Sequence, residues 1–223
     1  MELEKFAGIE IGELVDKSER GDAEAMFELG KRYFNGEGVR QDYRKAAEWW
    51  EKAAENGNAQ AKCNLALNYI NGWTVNRDVE KGVWLLENFA KAGNAQAQCE
   101  LGKFYSEGNH TEQDDAKAFA LFKQAAEAGN ARGMFCLGKC FFEGKGVERD
   151  EAKAIEWYAK AAELDYPEAQ FELGLCYYEG KGVERDNKKA LELIKMAADR
   201  KHMPAVIVYT QAVEFPRLSK QSD

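Results

Sequence analysis

The chain has 223 residues, 45% of them hydrophobic and 31% charged, which is ordinary for a globular protein and enough for one large or two small domains. A formal net charge of -8, with no block of lysine or arginine to interrupt it, opposes a phosphate backbone and excludes nucleic acid as an expected partner. The first twenty residues, MELEKFAGIEIGELVDKSER, carry charges every few positions and no uninterrupted apolar run, so they read neither as a signal peptide nor as a membrane span.

Taken in chain order, residues 7 to 19 predict a lone helix, with Leu14 and Val15 where the later pattern sets core aromatics. From residue 21 a unit of 36 residues begins and returns. Leu-Gly pairs fall at Leu29, Leu101, Leu137 and Leu173, with Leu65-Ala66 filling the gap, and GDAEA at 21, GNAQA at 57, GNAQA at 93, GNARG at 129 and DYPEA at 165 keep the same step. ELGKRYFNGEGVRQD at 28 to 42 reappears as CLGKCFFEGKGVERD from Cys136 and ELGLCYYEGKGVERD from Glu172.

Within each unit a small residue, a leucine and an aromatic recur four apart, as in Ala25, Leu29 and Tyr33, which predicts one face of a first helix, helix A. Glycines such as Gly36 and Gly38 end it. Asp42, Asp78, Asp114, Asp150 and Asp186 then stand at N-cap positions before an alanine-rich helix B, such as YRKAAEWWEKAAENG. Gly57-Asn58, Gly93-Asn94 and Gly129-Asn130 leave only a tight turn before the next helix A, so the two helices run antiparallel. Pairs this short bury both faces only by stacking, and small residues at Gly30, Ala46, Ala53 and Ala54 let backbones approach. The predicted fold is all-α, a right-handed α/α superhelical solenoid of stacked antiparallel helix pairs. Its parts are an N-terminal capping helix at 1–20, five repeats at 21–56, 57–92, 93–128, 129–164 and 165–200, and a C-terminal capping helix and tail at 201–223. The β-branched run in PAVIVYTQAV from Pro204 favours a strand on propensity, but an open stack needs a terminal helix, and helix is the reading preferred.

The recurring set A..LG..Y..G.GV..D..KA..W..KAA..G resembles the Sel1-like repeat, a relative of the tetratricopeptide repeat with extra residues in the loop between helices A and B. The likeness spans residues 21 to 200 and is fullest in copies one, four and five. Copy two departs with Trp73 and Thr74 in its loop, Ala66 for the helix A glycine and Gly82 for the helix B alanine. Copy three replaces the usual loop with GNHTEQD from Gly108. The resemblance implies a non-enzymatic scaffold or adaptor that binds a protein or peptide. As an alternative it implies a penicillin-binding or β-lactamase-like enzyme, activities attributed to secreted, cysteine-rich members in which a disulfide ties helix B to the following helix A. Here helix B holds no cysteine, and Cys63, Cys99 and Cys136 find no partner in that scheme, which argues for a reducing compartment; a cytoplasmic protein is expected.

Catalytic groups are sparse, and no enzyme, cofactor or metal is expected. His110 and His202 read as surface residues, the four serines lie outside any nucleophile elbow, and the GKG and GEG stretches lack the spacing of a phosphate loop. Cys136, Cys140 and Cys176 are spaced to face one another around zinc, but small apolar side chains at close helix contacts is the preferred reading.

In the related tetratricopeptide fold the side of helix A opposite the Leu29 face lines a concave surface. That resemblance, carried through the 36-residue step, nominates Phe27, Lys31, Phe34, Leu67, Ile70, Lys103, Phe135, Lys139, Phe142, Phe171, Leu175 and Tyr178 as partner-binding residues. Cys63, Cys99 and Ser106 share the row. Aromatic rings interleaved with lysines suit an extended or helical peptide bearing acidic groups. The helix B ridge with Trp50 and Tyr158 is the alternative surface, while Trp49 and Trp157 read as more deeply core. The sequence leaves oligomeric state open, with a monomer expected.

Overall fold

The computed structural model describes residues 10–73 and 77–218, with side chains as far as 212, and divides into two compact units at Leu101 and Gly102. Residues 1–9, Thr74 in the second loop and the tail at 219–223 lie outside the described residues. The elements in chain order are α1 (Ile11–Glu19), α2 (Ala23–Asn35), α3 (Tyr43–Glu55), α4 (Ala59–Asn71), α5 (Val79–Lys91), α6 (Ala95–Glu107), α7 (Asp115–Glu127), α8 (Ala131–Glu143), α9 (Glu151–Glu163), α10 (Pro167–Glu179), α11 (Asn187–Asp199) and α12 (Met203–Leu218). No strand occurs among the described residues, and the β-branched run after Pro204 is helical. The fold class is the α-solenoid, built of helix pairs. The first unit holds α1 to α5, and the second holds α7 to α12; α6 carries the boundary between them.

Each A–B pair closes by one recurring device. The backbone N–H of Asp42 donates to the carbonyl of Tyr33 at 2.9 Å, the Asp42 carboxylate accepts from the Lys45 backbone N–H at 3.0 Å, and the Lys45 ammonium lies 5.3 Å from the centre of the same Tyr33 ring. Aspartate, lysine and ring repeat as Asp78, Lys81 and Tyr69; Asp114, Lys117 and Tyr105; Asp150, Lys153 and Phe141; and Asp186, Lys189 and Tyr177. The aspartates satisfy orphan helix donors, and the ammonium over a ring contributes roughly 0.5–1 kcal/mol at an exposed site.

The loop inside this device needs two left-handed residues. Gly144 and Gly146 supply them in copy four, at φ 72° and 69°. In copy three Gly108 supplies the first and His110, at φ 67°, the second, so the altered loop keeps the backbone path without its second glycine.

Turns from helix B to helix A use Gly57, Gly93 and Gly129 at φ between 82° and 91°, followed by the asparagine caps. Asn58, Asn94 and Asn130 accept from the backbone N–H of Ala61, Ala97 and Gly133 at 2.8 to 2.9 Å. The degenerate fifth copy substitutes other chemistry. Asp165 takes the left-handed position at φ 61° with its carboxylate paired to Arg200, and Tyr166 precedes α10 without a side-chain cap while Pro167 occupies the first turn.

Packing within a pair turns on one small residue. A Cβ added at Gly30, Gly138 or Gly174 would lie 2.5 to 2.8 Å from Trp50, Tyr158 or Ile194, the large helix B residue that crosses there. Trp50 and Tyr158 are each 3% exposed, and burying side chains of this size stabilises by about 1.5–3 kcal/mol apiece. The alternative helix B surface is thereby corrected: Trp50 and Tyr158 are core, whereas Trp49 and Trp157 are only half-buried, with Lys52 and Lys160 lying 4.2 and 4.0 Å above their rings.

Candidate functional site

Helix α8 directs one stripe of side chains into a cavity of about 300 Å³ that lies wholly within the second unit. Arg132, Phe135, Cys136, Lys139, Cys140 and Glu143 recur three and four apart, which is a single helical face. The last turn of α6 adds Lys103, Ser106 and Glu107, Phe122 comes from α7, and Lys145 comes from the loop after α8. Tyr166 and Glu168, at the start of α10, complete the wall. Phe122, Phe135 and Tyr166 supply the rings of the wall; Phe135 packs tilted on Tyr166 at 5.5 Å and, behind the wall, on Tyr158 at 5.6 Å, with Phe142 a further 6.4 Å from Tyr158.

Four cations and three carboxylates face the cavity. Lys103 and Lys139 reach Glu107 and Glu143 only at 3.9 and 3.8 Å, whereas Lys145 meets Glu143 at 2.7 Å, which holds its ammonium above the usual lysine range. Exposed pairs of the longer kind are worth roughly 0–1 kcal/mol, so an incoming carboxylate competes for these lysines at little cost.

Three of the thiols are poorly suited to chemistry. Burial first, and the neighbouring Cys136 second, push Cys140 up to about 12, and burial raises Cys63 and Cys176 to about 12 and about 11. These groups stay protonated at neutral pH, and a protonated thiol is neither nucleophile nor ligand. All five cysteines are free, and among the described residues no group of three or more His, Cys, Asp or Glu is arranged to hold a metal ion. His110 and His202 lie away from the cavity, each edge-on or tilted against a ring, Phe104 and Phe171.

Of the twelve nominated residues, Lys103, Phe135 and Lys139 line this cavity together, with Ser106 of the same row beside them. Phe142, half-buried, stacks behind its wall. Phe171 and Leu175 pack against the cluster of Ile194, Ala197 and Ala205, and Tyr178 is 54% exposed under the Arg185 guanidinium. In the first unit, Phe27 and Ile70 are 8% and 1% exposed and offer no accessible surface, while Leu67 is half-buried. Lys31 pairs with Glu28 at 2.7 Å, and Phe34 is ringed by Tyr43, Trp50 and Trp73 at 5.1 to 5.4 Å. Reading one helical stripe missed Arg132, Tyr166 and Glu168. The signal was present in the register: position 132 is glutamate or glutamine in every other copy, as at Glu24, Gln60, Gln96 and Glu168.

Helix pairs repeating every 36 residues, with a side-chain-lined cavity on the helix A face, define an α-solenoid repeat protein. Residues 23–58, 59–94, 95–130, 131–166 and 167–202 each match the Sel1 repeat, and the chain belongs to the Sel1 repeat family. It is similar to a Sel1 repeat protein from Oxalobacter formigenes, at 29% identity and a TM-score of 0.72 over 90% of this chain and 80% of that one. It is also similar to c5321, a protective antigen of uropathogenic Escherichia coli with an SLR fold, at 32% identity and a TM-score of 0.59. That likeness covers 94% of this chain and 52% of the antigen, so the chain spans about half the antigen's length. The immunity protein Pa5087 of Pseudomonas aeruginosa shares the fold, at 22% identity and a TM-score of 0.65 over 83% and 71% of the two chains. No curated protein sequence matches the chain. Sel1 repeat proteins generally act as protein–protein interaction scaffolds, and solenoids of this kind are typically non-enzymatic. No helix among the described residues is long and apolar enough to cross a membrane.

Proposed function

We propose that this chain is a non-enzymatic scaffold that binds a peptide or protein segment on the helix A face of its second unit. The observation that carries the reading is the convergence of Lys103, Phe135 and Lys139 with Tyr166 on one cavity. Three residues nominated from a register count thus meet a fourth from the next repeat around a space that admits a side chain. Aromatic side chains and arginine are enriched in protein-binding hot spots, and Phe135, Tyr166 and Arg132 meet here. The protonated Cys140 thiol and the absence of both histidines from the lining leave no nucleophile paired with a histidine base at the cavity, which favours binding over turnover. Five free thiols favour a reducing compartment, and the cytoplasm is the proposed location.

The test is affinity capture from the native cell with the intact chain, followed by mass spectrometry, in parallel with a variant carrying Lys103→Glu, Phe135→Ala and Lys139→Glu. Loss of the captured partner with unchanged helical circular dichroism is expected. Equal capture by both proteins moves the interface off this face. Saturable labelling of the wild type by a fluorescent penicillin replaces the scaffold reading with the enzymatic one.

A further inference from the structure

The five copies are internal controls for one another, because they share one helix-pair architecture at a 36-residue step, so a change of charge confined to one copy is not something that architecture dictates. Three positions on successive turns of helix A face the same way. In copy one they are Glu24, Glu28 and Lys31, and in copy five Glu168, Glu172 and Leu175, so both copies are net acidic there. In copy four they are Arg132, Cys136 and Lys139, the only one of the five sets with a net positive charge. All three line the cavity. The change at 136 matters twice. Glu28 holds Lys31 at 2.7 Å, but a cysteine at the equivalent place cannot hold Lys139, whose nearest carboxylate is Glu143 at 3.8 Å. Lys145 adds a further cation where copy one has Glu37. A chain of net charge -8 has therefore concentrated positive charge at a helix A stripe that also opens onto an aromatic wall.

Resting on the scaffold reading above, we infer that the cavity recognises an acidic–aromatic segment: a partner aromatic side chain seated against Phe135 and Tyr166, with an adjacent aspartate or glutamate on Lys139. The volume of about 300 Å³ matches one aromatic side chain rather than a whole helix, so the partner enters by a single anchor. Charge complementarity fixes what flanks that anchor and excludes segments whose anchor is flanked by lysine or arginine.

A random peptide library displayed on phage and selected against the intact chain reads this out. Enriched peptides are then synthesised and titrated against wild type, Lys139→Glu and Phe135→Ala. The expected result is enrichment of Asp or Glu within two positions of Phe, Tyr or Trp, with affinity that drops about tenfold or more in Lys139→Glu and falls with added salt. A peptide whose acidic residue is changed to lysine should bind Lys139→Glu better than it binds wild type. Peptides that depend on Phe135 but carry basic or uncharged flanks overturn the acidic assignment and leave the scaffold reading standing. A selection with no enriched peptide, or with peptides indifferent to both substitutions, overturns the reading and this inference together. Lys139 is half in solvent, so its substitution tests the assignment even where Phe135→Ala unfolds the protein.

Discussion

Copies two and four solve the same packing problem with the small residue on opposite helices. In copy four the helix A position is Gly138, the helix B position across from it is Ala154, and the Tyr158 ring lies over the glycine. In copy two the glycine has moved to helix B: Ala66 stands on helix A, Gly82 on helix B, and Leu86 replaces the ring. A Cβ on Gly82 would come within 2.7 Å of the Ala66 carbonyl and 2.4 Å of Ile70, and Ala66 itself is fully buried. What the fold preserves is thus the combined bulk of two facing positions, not a residue at either one. Where the bulk can be redistributed the sequence drifts; where backbone meets backbone it has no such freedom.

Copy four supplies the sharpest break. Gly146 sits at φ 69° and its missing Cβ would fall 2.1 Å from the carbonyl oxygen of Asp115 at the start of α7. Gly146→Ala therefore combines a left-handed conformation, about 1–2 kcal/mol for an L-residue, with a backbone overlap that no rotamer relieves and that costs roughly 1–3 kcal/mol. A loss of about 3 kcal/mol in urea unfolding of the intact chain is expected. A loss below 1 kcal/mol shows that the loop yields, and that the tight approach is not a constraint.

Copy two supplies the next. Gly82→Ala alone should cost about 2 kcal/mol, because two of the atoms it meets, the Ala66 carbonyl oxygen at 2.7 Å and the Ile70 nitrogen at 3.1 Å, belong to the helix A backbone. The double variant Ala66→Gly, Gly82→Ala puts the small residue on helix A as in copy four and should recover about 1 kcal/mol of that loss. A strictly additive cycle removes the idea that the two positions trade volume.

These contacts show where the sequence was transparent and where it was not. The period was readable because the same residues return at a fixed step, and the caps at Asp42 and its equivalents and the helix terminators because each depends on neighbours a few residues away. Which rings face solvent was not, because Phe27 and Phe34 belong to one stripe, and only contacts across the repeat bury the first at 8% exposure and surround the second with Tyr43 and Trp73. The cavity was half legible. Lys103 and Lys139 followed from the step of 36, but Tyr166 and Glu168 enter from the start of the next helix, a relation that a single helical wheel does not display. The lysines over rings were missed for the same reason: Lys45 and Tyr33 lie on different helices and meet only after the loop closes.

A smaller effect separates the asparagine turns. Asn58 is 4% exposed, caps α4 through Ala61 at 2.8 Å, and donates to Glu24 of the preceding copy at 2.8 Å. Asn58→Ala should cost about 1–2 kcal/mol, the upper part of the range for a cap, since it also leaves Glu24 without this donor. Asn58→Asp keeps the cap but sets a carboxylate against Glu24, so it should recover only part of the loss. Full recovery would mean that the cap alone matters and that the link between copies is incidental.

The least change is expected where copy five borders copy four. Glu172 occupies the register position of Cys136, and burial raises its carboxyl above the ordinary value of 4.5, while the Lys139 ammonium opposes the rise. A carboxyl whose folded value is raised binds its proton more tightly in the native state. Its favourable contribution is thus complete below pH 4.5 and is lost as pH climbs through the folded value, leaving a half-buried charge at neutrality. Glu172→Gln should accordingly gain stability on wild type as pH rises from 4 to 7, by less than the loss at Asn58, with the two proteins converging at the acid end. Removing the opposing cation with Lys139→Ala should widen that gap at neutral pH. A pH-independent difference would mean that Glu172 keeps its carboxylate solvated, and that the positive charge of copy four does not reach it.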